Sequence, residues 1–190
     1  MSANEHRQRR LLRYTTEVLH LERDSIDRLP EARLPADLRE FADVWLKLRG
    51  DRAAPLKRDI GPFSIPARLL PNIMLWEILE DDYLCRLAGT GLRVRSEKEL
   101  SGCLLSDLYG DTDHDAWDEF DGVAQGGVYS LVERAVIWDE LPTSIRTRLL
   151  LPLLSDDGDA RYMVALIGPS FRYEWEPGFG AVRAENAPPD

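Results

Sequence analysis

Three strand-forming segments follow one another in the last third of the chain, and they constrain the fold more than any other feature of the sequence. They run from Val128 to Trp138, from Thr143 to Leu154 and from Arg161 to Gly168. The polar residues 155–159, "SDDGD", separate the last two, a composition typical of turns between antiparallel neighbours. This part of the sequence therefore predicts a run of antiparallel strands.

A further strand pair is predicted upstream. Residues 72–79, "NIMLWEIL", and residues 83–90, "YLCRLAGT", favour strands, and the acidic residues 80–82 form a turn between them. With the later segments this hairpin makes five antiparallel strands. Because the strands are grouped rather than alternating one by one with helices, we expect an α+β domain with its helices gathered on one face of the sheet.

Two helices are predicted within this domain. The first runs from Leu38 to Leu48, with Asp37 as its N-cap and Gly50 as its stop signal. The second runs from Asp113 to Ala124, where an acidic start favours a helix N-terminus. Between residues 51 and 72, four prolines predict an irregular segment that wraps around the core.

The N-terminal residues are predicted to form a separate helix from Glu5 to Asp27. Its apolar stripe, with Leu12, Leu19 and Ile26 at seven-residue spacing, is too thin for a solitary helix. We therefore expect it to pack on its own sheet or on a second copy, giving a homodimer, and its removal with residues 1–34 to leave a folded core. The expected organisation is a helical extension (1–36), a domain (37–168) and a partly disordered tail (169–190).

Charge and cysteine content indicate which classes of partner the protein is expected to bind and in which cellular compartment it is expected to lie. The formal net charge of −10 disfavours binding to nucleic acid or to an anionic membrane, both of which attract basic proteins. No apolar run is long enough for a signal peptide or a membrane span. Cys85 and Cys103 are too few for a disulfide framework, so we expect a cytoplasmic protein.

No set of residues predicts catalysis or a metal site, so we do not expect an enzyme. The G-x-S-x-G elbow is missing, and His6, His20 and His114 are the only histidines. The acidic run from Asp111 fails as a calcium loop, since Ala116 stands where glycine is needed. "GTGLRV" lacks the third glycine of a dinucleotide-binding loop.

Several short motifs of the sequence resemble those of an uncharacterised bacterial, alphaproteobacterial-type family of PAS-like domains. The first motif is a predicted helix that carries Trp45 and ends "LRG". It is followed by the motifs "LKRDIGPFSIPARLLPNIMLWEI", "YLCRLAGTGL", "LSGCLLSDLY" and "LLLPLLSDDGD". The resemblance covers residues 38–168. It implies a curved five-stranded sheet with short helices over its concave face, where a small cavity often lies.

The resemblance also implies a function. We expect a stand-alone sensory or regulatory domain that binds a small ligand or a signalling partner and acts in trans; the alternative is a ligand-free adaptor that binds proteins. Its ligand is unknown. Haem is disfavoured because His114 stands alone in an acidic loop. Flavin is disfavoured because the sequence around Cys103, "SGCLLSD", differs from the Asn-Cys-Arg motif of flavin photoreceptors. The candidate ligand-binding residues are Arg86, Thr90, Trp117 and Tyr129.

Arg86 has two interpretations. Alternation along the strand places it on one face with Leu84 and Ala88, between apolar neighbours, so we expect low exposure. A buried guanidinium needs a partner. Either it forms a structural bridge to a carboxylate such as Asp59, or it binds an anion in the cavity. Trp45 is assigned a structural role.

Overall fold

A six-stranded antiparallel sheet forms the centre of the computed structural model, which describes residues 14–92, 99–110, 113–138, 144–169, 174–175 and 182–183. In spatial order its strands are β1, β4, β5, β6, β2 and β3. Their bounds are Tyr14–Ser25 (β1), Ile73–Ile78 (β2), Tyr83–Ala88 (β3), Val128–Trp138 (β4), Ser144–Leu154 (β5) and Ala160–Pro169 (β6). Two short strands, β7 (Glu174–Trp175) and β8 (Val182–Arg183), form a separate pair.

The five predicted strands are confirmed as β2 to β6, and with them the α+β class. β2 and β3 form the expected hairpin. In the turn between β5 and β6, Ser155 N donates to Asp159 O at 2.8 Å, and Gly158 adopts a φ of 92° that glycine tolerates best. This turn thus brings β6 back antiparallel beside β5.

The sixth strand, β1, lies where a helix was expected. It pairs antiparallel with β4 from Tyr14 opposite Trp138 to Ser25 opposite Val128. A 3-10 helix, Ile26–Glu31, follows it. The predicted helix from Glu5 to Asp27 is therefore wrong for its described part, and residues 1–13 lie outside the described residues. Hydrogen bonds to a distant strand override the weak helical pattern, which is only a local preference.

The helices are α1 (Ala36–Arg49), α2 (Leu105–Tyr109) and α3 (His114–Ala124). Single 3-10 turns occur at Lys57–Asp59 and Leu70–Asn72, and residues 90–92 are helical. The predicted α1 and α3 are confirmed, but Pro35 rather than Asp37 is the N-cap of α1. Asp113 caps α3, its side chain accepting from Ala116 N at 3.1 Å.

The sheet is covered on both faces, and each face has its own apolar core. On the α1 face, α1 and the 3-10 helix after β1 pack on alternate residues of the central strands; this core includes Phe41, Trp45, Tyr129, Leu149 and Leu151. On the α3 face, α2 and α3 cover the other residues; this core includes Trp76, Tyr83, Cys85, Phe120 and Leu150. The expectation that all helices lie on one face is thus wrong for α1.

The loop between α1 and β2 closes tightly against the end of β3. Gly89 N donates to Ile73 O at 2.8 Å. A Cβ built on Gly89 would lie 2.4 Å from the carbonyl oxygens of both Leu70 and Pro71, which are backbone atoms and cannot rotate away. Only glycine fits this position without moving the chain.

We expect Gly89→Ala to lower the free energy of unfolding by about 2–3 kcal/mol, as overpacking does in a tight site. Gly61→Ala is the matched control, because a Cβ at Gly61 meets nothing within 4 Å. Urea denaturation followed by circular dichroism measures both. Equal midpoints for the two variants would contradict the close approach at Gly89.

The longest helix in the described part of the chain is α1, with 14 residues. Among the described residues, no helix has the length and apolar character needed to cross a membrane.

Candidate functional site

Charged side chains lie inside the α3 face of the sheet, where the rest of the layer is apolar. In β4 and β5, Arg134 lies opposite Arg146, and Val132 lies opposite Arg148. Since side chains two residues apart share a face, all three arginines are on the side covered by α3. We call Arg134, Arg146 and Arg148, with Tyr109, Asp113 and Glu119, the arginine cluster.

Glu119 and Arg148 form the centre of the arginine cluster. The Glu119 side chain has no exposed surface, and that of Arg148 is 8% exposed. Arg148 Nε donates to Glu119 Oε1 at 3.0 Å, and its Nη2 donates to Oε2. This two-bond geometry fixes α3 on β5, because a guanidinium and a carboxylate then lie in one plane.

Two further groups extend the pair. Arg148 Nη1 donates to the hydroxyl of Tyr109 at 3.0 Å. The centroid of the Tyr109 ring lies 5.4 Å from the guanidinium carbon of Arg134 and 5.7 Å from that of Arg148. Arg134 also reaches Asp113 Oδ2 at 3.4 Å and lies 4.0 Å from Glu119. The cluster thus joins α2, α3, β4 and β5.

The charge of Arg148 is secured by its neighbours. Burial disfavours the charged form, but the carboxylate of Glu119 and the hydroxyl of Tyr109 more than offset it, so that the pKa of Arg148 lies above its ordinary value. Glu119 and Tyr109 thus favour the charged form of this guanidinium.

Two uncharged polar atoms on the same face have no hydrogen-bond partner among the described residues. They are the hydroxyl of Ser130, in β4, and Nε1 of Trp76, in β2. Both residues are fully buried. Buried polar atoms normally find a partner, so such atoms often mark the place of a water or a ligand.

Arg86 does not join this site, and its expected burial is wrong. Its side chain is 55% exposed and forms an ion pair with Glu77. The register of β2 and β3 shifts between Leu75 and Trp76, so Trp76 lies opposite Cys85 and Leu75 opposite Leu87, and Arg86 is the unmatched residue. This irregularity turns Arg86 outward and breaks the alternation on which the expectation rested.

Asp59, the expected partner of Arg86, instead accepts from Arg52 Nη2 at 3.0 Å. The structural role of Trp45 agrees with its position, since its buried indole donates to Pro152 O at 3.0 Å and fixes α1 on β5.

The other three candidate ligand-binding residues are not brought together. Thr90 is exposed at the start of the helical turn 90–92. Trp117 lies half-buried on the α3 face, where its Nε1 donates to Gly110 O at 3.0 Å. Tyr129 lies on the α1 face, and its hydroxyl donates to Glu22 Oε1 at 2.6 Å. Burial and this hydrogen bond raise the pKa of Tyr129. A binding role for these residues stays a prediction.

The arginine cluster itself is missing from the sequence-based candidates, although the sequence carries a signal for it. Ala116, Glu119, Phe120 and Val123 are spaced as the buried stripe of a helix, so Glu119 occupies a core position. Alternation in β5 places Arg146 and Arg148 on one face with Leu150. A carboxylate and two arginines at core positions predict a buried ion pair.

In the part of the chain that the structure describes, no three His, Cys, Asp or Glu side chains are placed to hold a metal ion. His114 is exposed at the start of α3.

The sequence of this chain matches one family of known proteins. The family model described as a PAS domain matches residues 34–167. No curated protein matches the sequence.

Two solved structures show a similar arrangement over about half of the chain. The light-state structure of the blue-light photoreceptor Aureochrome1 LOV is 16% identical, with a TM-score of 0.42, and the match covers 54% of this chain and 84% of that one. A light-oxygen-voltage domain with a flavin analogue is 14% identical, with a TM-score of 0.40 and coverages of 55% and 80%.

Proposed function

Because this chain belongs to the PAS domain family, whose members are generally sensory domains that bind small ligands or cofactors, we propose that it is a regulatory domain that acts in trans on a signalling partner. Its ligand is a small anion, bound at the arginine cluster. It works by binding and not by catalysis. The observation that carries this proposal is the concentration of three guanidiniums on the face that α3 covers.

The pairing of Arg134 with Arg146 supports an anionic ligand. Like charges directly opposite each other on a sheet are destabilising, and an anion between them offsets that cost. Arg146 is only half-buried and has no ion pair with a described residue, so its guanidinium is within reach of a ligand. The planar fork of arginine suits carboxylate and phosphate groups.

The position of Glu119 supports a response to that ligand. A bound anion competes with Glu119 for Arg148 and Arg134, and Glu119 lies on α3. Binding would therefore loosen α3 from β5. α3 is also tied to β1, since Arg23 Nη1 donates to Asp118 O at 2.7 Å. A shift of α3 would reach the edge strand of the sheet, where a partner has access.

We expect Arg146→Gln to weaken ligand binding tenfold or more, since a hydrogen bond to a charged group contributes about 1.5–3 kcal/mol. Native mass spectrometry of the purified protein identifies any co-purifying molecule. Calorimetry with that molecule, or with a panel of small dicarboxylates and inorganic phosphate, measures the affinity. Arg161→Gln is the matched control, because Arg161 is exposed at the start of β6.

Equal affinities for the Arg146 and Arg161 variants would contradict binding at the arginine cluster. Absence of any bound or binding anion would favour the second candidate function, a ligand-free adaptor. The observation in favour of an adaptor is Phe63, an aromatic side chain that is fully exposed in the loop before β2. Aromatic side chains are enriched in protein–protein interfaces.

We further propose that the protein is a cytoplasmic homodimer that pairs through β1. This strand lies at one edge of the sheet, and its outer edge pairs with no other described strand. A long strand at the edge of a sheet is a template for pairing with a second chain. Light scattering at increasing concentration tests this point, and a constant monomer mass would contradict it.

A further inference from the structure

The two cysteines of the chain lie opposite each other at the outer edge of β3. Cys85 is in β3, and Cys103 is in the segment 99–104, which runs antiparallel beside it. Cys85 N donates to Cys103 O at 2.9 Å, and Gly102 N donates to Cys85 O at 2.7 Å. Leu84 and Leu104 form the adjacent antiparallel bridge.

This arrangement brings the two thiols within reach of a disulfide. Both side chains pack in the core of the α3 face, so both point to the same side of the sheet. Gly102, at a φ of 88°, forms a bulge, so Gly102 and Cys103 together face Cys85, and the hydrogen bond of 2.9 Å from Cys85 N to Cys103 O keeps the two backbones adjacent. Disulfides span Cα separations of about 4.4–6.8 Å. Cys85 Sγ lies 3.5 Å from Leu87 O, and Cys103 Sγ lies 3.5 Å from Glu99 O.

The two thiols differ in access, and the Cys85 thiol is less acidic than a free cysteine. Cys85 is buried, whereas Cys103 is partly exposed. Burial, followed by the nearby Cys103, raises the pKa of the Cys85 thiol to about 12. Cys103 is therefore the thiol that an oxidant meets first, and Cys85 is a protected second thiol.

We propose that Cys103 is an oxidation site for hydroperoxides and that Cys85 resolves it to an intramolecular disulfide. The Cys103 thiolate attacks the outer peroxide oxygen, the O–O bond breaks, and the alkoxide or hydroxide leaves and takes up a proton. Cys103 is then a sulfenic acid. Cys85, losing its proton, attacks the Cys103 sulfur; the S–O bond breaks, and hydroxide leaves with that proton as water. Two thiols are oxidised and one peroxide is reduced.

The disulfide would have a consequence for the neighbouring elements. It would fix segment 99–104 covalently to β3, and α2 begins at the next residue, Leu105. α2 carries Tyr109, which contacts both Arg134 and Arg148. Oxidation would therefore restrict the helix that borders the arginine cluster. Cytosolic disulfides in mesophiles are mostly transient and redox-sensing, in keeping with such a role.

The test is treatment of the reduced full-length protein with hydrogen peroxide, followed by alkylation and mass spectrometry without reductant. We expect a linked pair of peptides containing Cys85 and Cys103, with the loss of two hydrogens. The rate should rise about tenfold per pH unit below the pKa of the Cys103 thiol, because the thiolate is the nucleophile. Hydrogen exchange at residues 99–109 should slow in the oxidised protein.

Two variants separate the steps. Cys85→Ser should leave a Cys103 sulfenic acid that dimedone traps, and Cys103→Ser should leave Cys85 reduced under the same treatment. Serine is close in size to cysteine, and circular dichroism verifies that each variant folds. Full alkylation of both thiols after peroxide treatment of the wild-type protein, or disulfides only between molecules, would overturn the proposal. Dimedone labelling at Cys85 in place of Cys103 would overturn the order of the steps.

Discussion

Replacing Arg148 with alanine is expected to lower the free energy of unfolding by about 3–5 kcal/mol, as for other buried pairs that lose one partner. Glu119 has no exposed surface, and each of its carboxylate oxygens accepts a hydrogen bond from Arg148. Without that guanidinium, a carboxylate would remain inside the α3 face, with Arg134 at a distance of 4.0 Å. Chemical denaturation followed by circular dichroism measures the loss.

Two matched variants test the cause of this loss. Arg161→Ala removes an exposed arginine and should change the free energy of unfolding by less than about 1 kcal/mol. The double change Arg148→Met with Glu119→Leu removes both charges and keeps similar volumes, so it should recover most of the stability. A double variant as unstable as Arg148→Ala would show that shape, and not the unpaired charge, is responsible.

Under the proposed function, variants of the cluster should separate ligand affinity from stability. Arg148 is buried and bonded on both sides, so its loss affects the fold. Arg146 is half-buried on the same face, so its loss should weaken ligand binding without lowering stability, because it also removes the like charge opposite Arg134. A comparison of the two variants therefore distinguishes an internal ion pair from a binding group.

Most of the fold was predictable because its signals are local. The strands β2 to β6 and the helices α1 and α3 have caps, turns or alternating patterns within their own residues. β1 has none of these and depends on β4, more than a hundred residues away in the chain. Cross-strand pairing of this kind leaves little trace in a single sequence. The polar residues of β1 favoured the helical interpretation.

The site was less predictable than the fold. Arg86 looked buried because strict alternation was assumed, and an irregularity in the hairpin register is not visible in the sequence. Glu119 is missing from the sequence-based candidates because it lies in a run of acids, although its spacing from Phe120 and Val123 marks a core position. For buried charges, position on the helix face is therefore a better guide than the composition of the neighbouring residues.

Deletion of residues 1–34 should have the opposite effect to the one that the helical interpretation predicted. The deletion removes β1, which pairs along the whole of β4, and with it Ile26 and Leu29, which are buried in the core of the α1 face. Loss of a large core side chain alone costs about 2–5 kcal/mol, and two are lost here with a strand. Domains are stable by only about 5–15 kcal/mol, so we expect a largely unfolded product.

Far-UV circular dichroism and thermal unfolding of residues 35–190 measure this effect, and deletion of residues 1–13 is the matched control, since it keeps β1 whole. The control should unfold cooperatively near the wild-type temperature. The family match begins at residue 34, after β1. A shorter protein that unfolds cooperatively at the wild-type temperature would therefore mean that the family core folds alone and that β1 is an accessory strand. In that outcome the buried positions of Ile26 and Leu29 contribute little to stability, and β1 is free to leave β4 for a partner strand.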